Sequence, residues 1–278
     1  MTPSEMRQLL DARGLRLTRS LGQNFLHDAN QLRRIVELAR IRPGDRVLEI
    51  GPGLGPLTEV LLAAGARVLA IEKDRRLIPI LRERLAHHPD LQILEADALD
   101  WLVRDQPDLS DQHVVSNLPY SVGSPILVEL AQLPLPPTSA TVTLQAEVVD
   151  RIRARPGTGA YGILSLLLAH TFSVETSFPI PATCFFPVPD VTSACVRLVR
   201  RPQPLTPTRE SARNYSRLVK LAFSQRRKRV RKVLRAAWPD ERLAPAWTAL
   251  HLSDDARAET LPPGTFADLT HLLNTPVP

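Results

Sequence analysis

Glu49-Ile50-Gly51-Pro52-Gly53-Leu54-Gly55 is a glycine-rich segment between a predicted strand, residues 47–50, and a predicted helix, residues 57–64. Glycines at such a turn let the backbone approach a ligand closely. Glu72 ends the next predicted strand, 21 residues after Gly51. A carboxylate at that place accepts hydrogen bonds from two ribose hydroxyls. The loop and Glu72 together predict a site for a nucleoside-containing cofactor.

Strand-like and helix-like segments alternate through the first 200 residues. This alternation predicts an α/β fold, a mostly parallel sheet with helices on both faces. Residues 201–207 contain three prolines and read as a linker, and the chain beyond them has helical periodicity. We therefore expect a sheet domain at residues 1–200 and a small all-helical domain at residues 201–278. The predicted strands are residues 47–50, 67–71, 91–95, 113–116, 138–144, 172–178 and 193–199.

Composition points to an ordinary soluble protein. The 278 residues are 44% hydrophobic and 23% charged. Cys184 and Cys195 lack metal-ligand spacing, so we expect reduced, buried thiols, no metal and a cytoplasmic location. The first residues lack a signal-peptide pattern, and no apolar run reaches the ~18 residues of a membrane helix. We expect no membrane association.

Positive charge is concentrated in one segment. The net charge is +6, but residues 200–235 contain 13 Lys and Arg against one acid, Glu210, and carry +12. Seven of the ten residues from Arg226 to Arg235 are basic, on a predicted helix of residues 226–238. This density favours binding of a nucleic acid, the alternative being a solvated basic face.

A polar turn follows the fourth predicted strand, in Val114-Val115-Ser116-Asn117-Leu118-Pro119-Tyr120. Asn117 carries a side-chain carbonyl oxygen, and Pro119 holds Leu118 extended, so that the Leu118 carbonyl can point outward. Two fixed acceptors beside the Tyr120 ring suit a planar base with an exocyclic NH2 group. The alternative is a structural turn with a capping asparagine and a core tyrosine.

The glycine spacing favours S-adenosylmethionine over a nicotinamide cofactor. NAD-binding proteins prefer G-x-G-x-x-G, whereas this loop reads G-x-G-x-G. A sulfonium cofactor has no phosphate and tolerates acids such as Glu49. Asp97, after the third strand, can accept from an adenine amine. The alternatives are a helix cap for Asp97 and a strand-end ion pair for Glu49.

Six motifs occur in one order and together resemble the rRNA adenine dimethyltransferase family. The resemblance covers residues 15 to 238, and Phe223-Ser224-Gln225-Arg226-Arg227-Lys228 favours its small-subunit branch. One departure is Gln145-Ala146-Glu147, where the family has Gln-Lys-Glu. This puts one RNA phosphate contact in doubt. The motifs are Leu21-Gly22-Gln23-Asn24-Phe25-Leu26, the Gly51 loop, Glu72, Glu95-Ala96-Asp97-Ala98, Asn117-Leu118-Pro119-Tyr120 and Phe185-Phe186-Pro187-Val188-Pro189.

The resemblance implies a Rossmann-like class I S-adenosylmethionine-dependent methyltransferase and assigns roles to residues. It implies that Asn24 and Leu26 close over the cofactor, and we expect residues 20–27 to be disordered without it. The implied cofactor-binding residues are Asn24, Leu26, Gly51, Gly53, Glu72, Asp97 and Asn117. The implied base pocket consists of Asn117, Leu118, Tyr120 and Phe185. The implied RNA-binding residues are Arg226, Arg227, Lys228, Arg229, Arg231 and Lys232.

The resemblance also implies a reaction. A member of the small-subunit branch dimethylates the exocyclic amine of two adjacent adenosines in a hairpin loop near the 3′ end of 16S rRNA. We expect a monomer that acts on rRNA within an assembling 30S subunit. Four alternatives stay open: a non-catalytic ribosome-assembly factor, a large-subunit rRNA methylase, a DNA adenine or protein-glutamine methyltransferase, and a nicotinamide dehydrogenase.

Overall fold

The computed structural model describes residues 1–15, 24–85 and 87–274. Residues 16–23, which include the first half of the segment 20–27 and the first three residues of the first motif, lie outside the described residues. The strands are β1 (Phe25–Leu26), β2 (Arg46–Ile50), β3 (Arg67–Glu72), β4 (Leu91–Glu95), β5 (Gln112–Asn117), β6 (Ser139–Gln145), β7 (Phe172–Ile180), β8 (Phe185–Phe186) and β9 (Ser193–Arg200). The helices are α1 (Pro3–Asp11), α2 (Ala29–Ala39), α3 (Pro56–Ala63), α4 (Ile78–Leu85), α5 (Ala98–Asp105), α6 (Gly123–Gln132), α7 (Ala146–Ile152), α8 (Ile163–Thr171), α9 (Arg209–Ala222), α10 (Val230–Leu234), α11 (Asp240–Ala249) and α12 (Pro263–Asn274).

The main sheet has seven strands in the order β4-β3-β2-β5-β6-β9-β7. The five strands from β4 to β6 are parallel, and β9 runs antiparallel to β6. Most residues of β2 and β6 are buried because helices cover the sheet. The predicted α/β class is confirmed, and each predicted strand lies within two residues of an observed one.

Helix α2 shows how sequence sets the core. Asp28 caps it, because its Oδ1 accepts the Gln31 backbone N–H at 2.9 Å. Its buried residues recur at helical spacing and pack with α3 and the strands β2 and β3 in the main hydrophobic core. They are Leu32, Ile35, Val36 and Ala39.

A second, two-stranded sheet was not predicted from the sequence. β1 pairs antiparallel with β8, with Phe25 opposite Phe186 and Leu26 opposite Phe185. Both strands have only two residues, and their partners are 160 positions apart, so neither periodicity nor a local turn signal reveals them. This small sheet brings the first and last motifs of the sheet domain together.

The chain divides into two compact units, which differ from the expected domains. The sheet unit is Met1–Val149 with Val174–Arg200, and the helical unit is Asp150–Ser173 with Arg201–Pro278. The segment 150–173 belongs with the C-terminal helices because its polar groups bond to them. Tyr161 donates to the Leu261 carbonyl at 2.9 Å, and Tyr215 donates to the Leu166 carbonyl at 3.0 Å. The expected sheet domain of residues 1–200 is therefore wrong for residues 150–173, which belong to the helical unit.

The predicted basic helix of residues 226–238 is wrong in extent. A 3₁₀ turn covers Phe223–Gln225, and the α-helix α10 begins only at Val230. The backbone between them is drawn toward another segment, because Val230 donates to the Ala256 carbonyl at 2.9 Å and Arg229 bridges to Arg257. The predicted inner face of Val230, Val233 and Leu234 is buried as expected.

Three smaller observations concern the described residues only. No helix among them has the length and hydropathy needed to cross a bilayer. They contain no cluster of three or more His, Cys, Asp or Glu that could hold a metal ion. Cys184 and Cys195 are free and buried.

Candidate active site

A cleft of about 860 Å3, including its open mouth, lies where the parallel strands of the sheet unit end. Ligands bind at this edge in open α/β sheets. Each of the ends of β2, β3, β4 and β5 contributes to it. The site residues predicted from the sequence that line it are Asn24, Gly51, Gly53, Glu72, Asp97, Asn117 and Leu118.

The glycine loop and Glu72 form one hydrogen-bonded unit at the cleft floor. The Gly53 N–H donates to Glu72 Oε2 at 3.0 Å, and the Asp74 N–H donates to Glu72 Oε1 at 2.8 Å. Gly51 and Gly53 have φ of 70° and 61°, a conformation that favours glycine. Burial raises the pKa of Glu72, and the two N–H groups oppose that rise. Glu72 is therefore held rigidly with its carboxyl group toward the cleft.

Glu49 does not line the cleft. Its hydrogen-bond partner is a hydroxyl group and not a cation, so the alternative of a strand-end ion pair is not supported. The Thr58 hydroxyl donates to Glu49 Oε2 at 2.7 Å. Burial raises the pKa of Glu49 to about 8, and the nearby Glu72 adds to the rise. Its side chain is a neutral support of the loop at pH 7.

Asp97 caps a helix and faces the cleft at once. Its Oδ1 accepts the Leu99 and Asp100 backbone N–H groups at 2.8 and 3.3 Å, which makes it the N-cap of α5. Its Oδ2 accepts from Lys73 Nζ at 2.6 Å, and this contact keeps the pKa of Asp97 low. The helix-cap alternative is confirmed, and the same carboxylate remains on the cleft wall.

The orientation of the Asn117 amide is set by one contact. Its Nδ2 donates to the Asn24 backbone carbonyl at 2.7 Å. Because that carbonyl only accepts, the amide nitrogen must face it and the oxygen must face the other way. Asn117 Oδ1 is buried and has no hydrogen-bond partner among the described residues. Buried acceptors are normally satisfied, so this oxygen indicates a missing donor. The Leu118 N–H donates to the Thr143 carbonyl at 3.2 Å and fixes the turn.

Three side chains predicted at the site do not line this cleft. Leu26 and Phe185 are each 1% exposed and pack in the main core, so neither side chain lines the cleft. Successive residues of a strand face opposite ways, and the ring at the cleft is that of Phe25. Tyr120 is half-buried outside the cleft lining, and its hydroxyl bonds to the Ser193 hydroxyl. A two-residue strand carries too little alternation for sequence to choose between Phe25 and Leu26.

Comparison with known proteins assigns the family. The family model described as ribosomal RNA adenine dimethylase matches residues 14–275. This chain belongs to that family. It is 41% identical over 267 residues to Ribosomal RNA small subunit methyltransferase A of Phenylobacterium zucineum, covering 95% of this chain and 90% of that protein. The protein of the same name from Geobacillus kaustophilus is 38% identical over 282 residues, covering 98% and 96%. The resemblance stated from the motifs is confirmed.

A solved structure supports the fold assignment of this dimethylase family member. The crystal structure of the 23S rRNA methyltransferase ErmE superposes with a TM-score of 0.68 and 31% identity, covering 91% of this chain and all of that one. The expected Rossmann-like methyltransferase fold is confirmed by this similarity and by the observed sheet.

The basic segment of this dimethylase divides into two groups. Arg226 donates to the Gly159 carbonyl at 2.7 Å, Arg229 pairs with Asp255 at 2.7 Å, and Arg231 pairs with Asp254 and Asp240. The other three side chains are exposed, and the described residues offer them no acidic partner. They are Arg227, Lys228 and Lys232. Counting residues in the sequence could not distinguish the two groups, because the acids come from later segments.

Proposed function

We propose that this chain uses S-adenosylmethionine to dimethylate the exocyclic amine of two adjacent adenosines near the 3′ end of small-subunit rRNA. Its family and the names of its relatives support the reaction class. The single observation that carries the chemistry is Asn117 Oδ1, a buried acceptor without a partner among the described residues, at the edge of a glycine-loop cleft.

The cleft fits the cofactor on the chemistry of its donors and acceptors. Glu72 uses one lone pair of each oxygen for a backbone N–H, and a second remains on each for a ribose hydroxyl. Asp97 presents a carboxylate to an adenine amine, and Gly51 and Gly53 permit close backbone approach. When bound, S-adenosylmethionine supplies an electrophilic methyl group. Asn24 completes the wall on the side of Asn117.

Asn117 and Leu118 prepare the nucleophile. The adenine amine is a poor nucleophile because its lone pair is shared with the ring. Accepting both N–H groups at Asn117 Oδ1 and the Leu118 carbonyl biases the nitrogen toward a tetrahedral shape. Most of the rate then comes from positioning and electrostatics. A neutral amide suits this place because a buried carboxylate is costly to desolvate.

A second methylation needs no additional group. After one transfer the amine retains one N–H, which can still be accepted by Asn117 or Leu118. Rotation about the C–N bond turns the lone pair back toward the cleft. The proton lost in each step becomes acidic only after the methyl group is transferred, so no general base is required beside the amine.

Tyr120 is the aromatic platform in this proposal. Its hydroxyl is tied to Ser193, which fixes the ring beside the Asn117-Leu118 turn. Stacking of a base on such a ring is worth ~1–3 kcal/mol. Phe185 does not stack on the base in this proposal, since its ring is buried in the main core. The target adenine must be unpaired or flipped out to reach this platform.

Arg227, Lys228 and Lys232 provide the phosphate contacts of the helical unit. Such contacts position RNA without reading its sequence. Arg226, Arg229 and Arg231 contribute chiefly by holding loops of that unit through the pairs described above. We propose that the rRNA is bound within an assembling 30S subunit by a monomer in the cytoplasm.

The test is methyl transfer with labelled S-adenosylmethionine, followed by nucleoside analysis. The substrates are naked 16S rRNA, naked 23S rRNA, and immature and mature small subunits that lack this methylation. We expect dimethyladenosine in small-subunit rRNA only. Transfer to 23S rRNA alone would identify a large-subunit methylase. Binding to small subunits without transfer would favour the non-catalytic assembly factor.

A further inference from the structure

We propose that helix α1 is a positioning element for the Asn117 amide and that Met6 is the residue through which it acts. The proposal rests on the assignment of Asn117 to the methyl-transfer site. Neither Met6 nor any other residue of α1 lines the cleft. The influence of α1 therefore has to pass through other residues, and the structure supplies a continuous path.

The path begins at a hydrophobic cluster separate from the main core. Met6 is 0% and Leu10 4% exposed, and both pack there on the inner face of α1. The cluster also contains residues from β1, the glycine loop and the region of α4, namely Phe25, Leu54, Leu77 and Ile80. Phe25 and Leu77 also line the cleft. The inner face of α1 thus supports one wall of the cofactor site from behind.

Phe25 is held from three directions. Its ring belongs to the cluster around Met6, and its backbone pairs with Phe186 of β8. The third constraint is Gly53, where an added Cβ would overlap the Phe25 ring. A ring enclosed in this way has little freedom, since cavities and overpacking both cost stability. The position of the β1 backbone therefore depends in part on the cluster to which Met6 belongs.

The next residue along the path is Asn24, whose carbonyl accepts from Asn117 Nδ2. The last torsion of an asparagine has two broad and similar minima, so the side chain needs a contact to choose between them. Without the Asn24 carbonyl in place, the amide can turn by half a rotation. It would then present N–H donors to the N–H groups of the adenine amine, and transfer would fail.

The polar attachments of α1 are weaker than its buried face. Arg13 pairs with Glu83 of α4, but the Glu83 side chain is 69% exposed, and exposed pairs contribute little. The Arg7 guanidinium lies 5.6 Å from the centre of the Phe186 ring. Met6 is fully buried, more so than Leu10, and belongs to the cluster that holds Phe25. It is therefore the residue whose truncation should loosen β1 without removing a contact to substrate.

The experiment compares Met6→Ala with Met6→Leu and Leu198→Ala in the full chain at 20 °C. Leu198 is buried in β9 and serves as a matched core truncation. We expect Met6→Ala to lower kcat for small-subunit methylation at least fivefold, with KM for the subunit within twofold. Met6→Leu should restore kcat because it nearly conserves volume. Leu198→Ala should keep kcat within twofold despite a lower Tm. An equal loss of kcat in Met6→Ala and Leu198→Ala would overturn the proposal.

A second measurement tests the orientation of the Asn117 amide without catalysis, through hydrogen exchange of its side chain. The side-chain NH2 signals of Asn117, assigned by their loss in Asn117→Asp, should show slow hydrogen exchange in the wild type and in Leu198→Ala. In Met6→Ala, or in the milder Met6→Val if the alanine variant does not fold, exchange should be at least tenfold faster. Unchanged exchange would overturn the role of α1. Wild-type protein without methyl transfer would instead overturn the proposed function, whatever the exchange rates.

Discussion

The ammonium of Lys73 lies 2.6 Å from Asp97 Oδ2 at the rim of the cleft, while Asp97 Oδ1 caps helix α5. Both oxygens of this carboxylate are therefore engaged before any cofactor binds. Oδ1 already accepts two backbone N–H groups, whereas Oδ2 keeps a second lone pair, so an adenine amine can join Lys73 at Oδ2 without displacing it. The cap and the ion pair fix the orientation of the carboxylate.

Two substitutions of Asp97 should separate the cap from the ligand role. Asp97→Ala removes both, so we expect a loss of about 1 kcal/mol in stability and roughly ten- to hundredfold weaker cofactor binding, the range for a charge-assisted hydrogen bond. Asp97→Asn keeps the cap and an acceptor, so its affinity should fall less than tenfold. Calorimetry with S-adenosylhomocysteine and thermal unfolding measure both effects. Equal affinities in the two variants would rule out a direct contact.

Asn117→Ala should reduce turnover at least about tenfold, because one transition-state hydrogen bond is lost. Asn117→Asp should be comparably slow, since its oxygens would face the Asn24 carbonyl. Labelled-methyl transfer under saturating substrate gives the rates. The control is Asn30→Ala, which removes an exposed asparagine on α2. Near-normal turnover in Asn117→Ala would remove this residue from the mechanism.

Tyr120 should tolerate loss of its hydroxyl better than loss of its ring. Tyr120→Phe breaks the bond to Ser193 but keeps the stacking surface, so kcat/KM should stay within about threefold. Tyr120→Ala loses ~1–3 kcal/mol of stacking, which corresponds to roughly five- to hundredfold in kcat/KM. Ser193→Ala provides the matched control for the tether. If Tyr120→Ala transfers methyl groups as fast as Tyr120→Phe, the base stacks elsewhere.

The salt dependence of RNA binding should distinguish exposed from paired basic residues. Lys228→Gln and Lys232→Gln should each reduce the slope of log affinity against log salt by roughly 0.7–0.9, the value for one phosphate contact. Arg231→Gln should leave the slope nearly unchanged, because its guanidinium is paired with Asp254 and Asp240. Filter binding between 50 and 200 mM salt is suitable. A slope change in Arg231→Gln as large as that in Lys228→Gln would contradict the division into paired and exposed basic residues.

Stability should depend on pH through Glu49. Its pKa is about 8 in the folded chain and 4.5 ordinarily, so the folded state binds more protons between these values. The free energy of unfolding therefore falls as pH rises from about 4.5 to about 8 and then levels off. Glu49→Gln keeps an acceptor for Thr58 without the charge. The unfolding free energy of Glu49→Gln should exceed that of the wild type by on the order of 5 kcal/mol at pH 8.5, and the gain should vanish near pH 4.5. Urea unfolding at several pH values measures the unfolding free energies of both proteins. If the difference between wild type and Glu49→Gln did not change with pH, the effect of Glu49 burial would be contradicted.

Local sequence patterns were sufficient for the sheet and for most of the cleft. The alternation of strands and helices predicted a mostly parallel sheet, because the hydrophobic periodicity of each element can be recognised locally. A glycine-rich loop after β2, a carboxylate at the end of β3 and a polar turn after β5 predicted that Gly51, Glu72 and Asn117 lie at one edge of the sheet. These features depend on residues near each other in sequence, and a parallel sheet aligns the ends of its strands.

Distant pairings explain what sequence patterns missed. The burial of Phe185 follows from a two-residue strand that pairs with β1 across 160 positions. Arg231 is neutralised by Asp254 and Asp240, which a count of basic residues in one segment does not include. In each case the partner comes from a separate part of the chain, and nothing in the local pattern specifies it.

The helical unit is assembled from two stretches of chain that the last sheet strands interrupt. A fragment expressed from Arg201 onward, in the proline-rich linker, would lack Tyr161 and the Leu166 carbonyl, and so would lose two hydrogen bonds and the buried ring of Tyr161. Domain exchange between relatives therefore has to carry residues 150–173 along with the C-terminal helices. A chimera joined at residue 200 would pack residues 150–173 of one relative against the C-terminal helices of another.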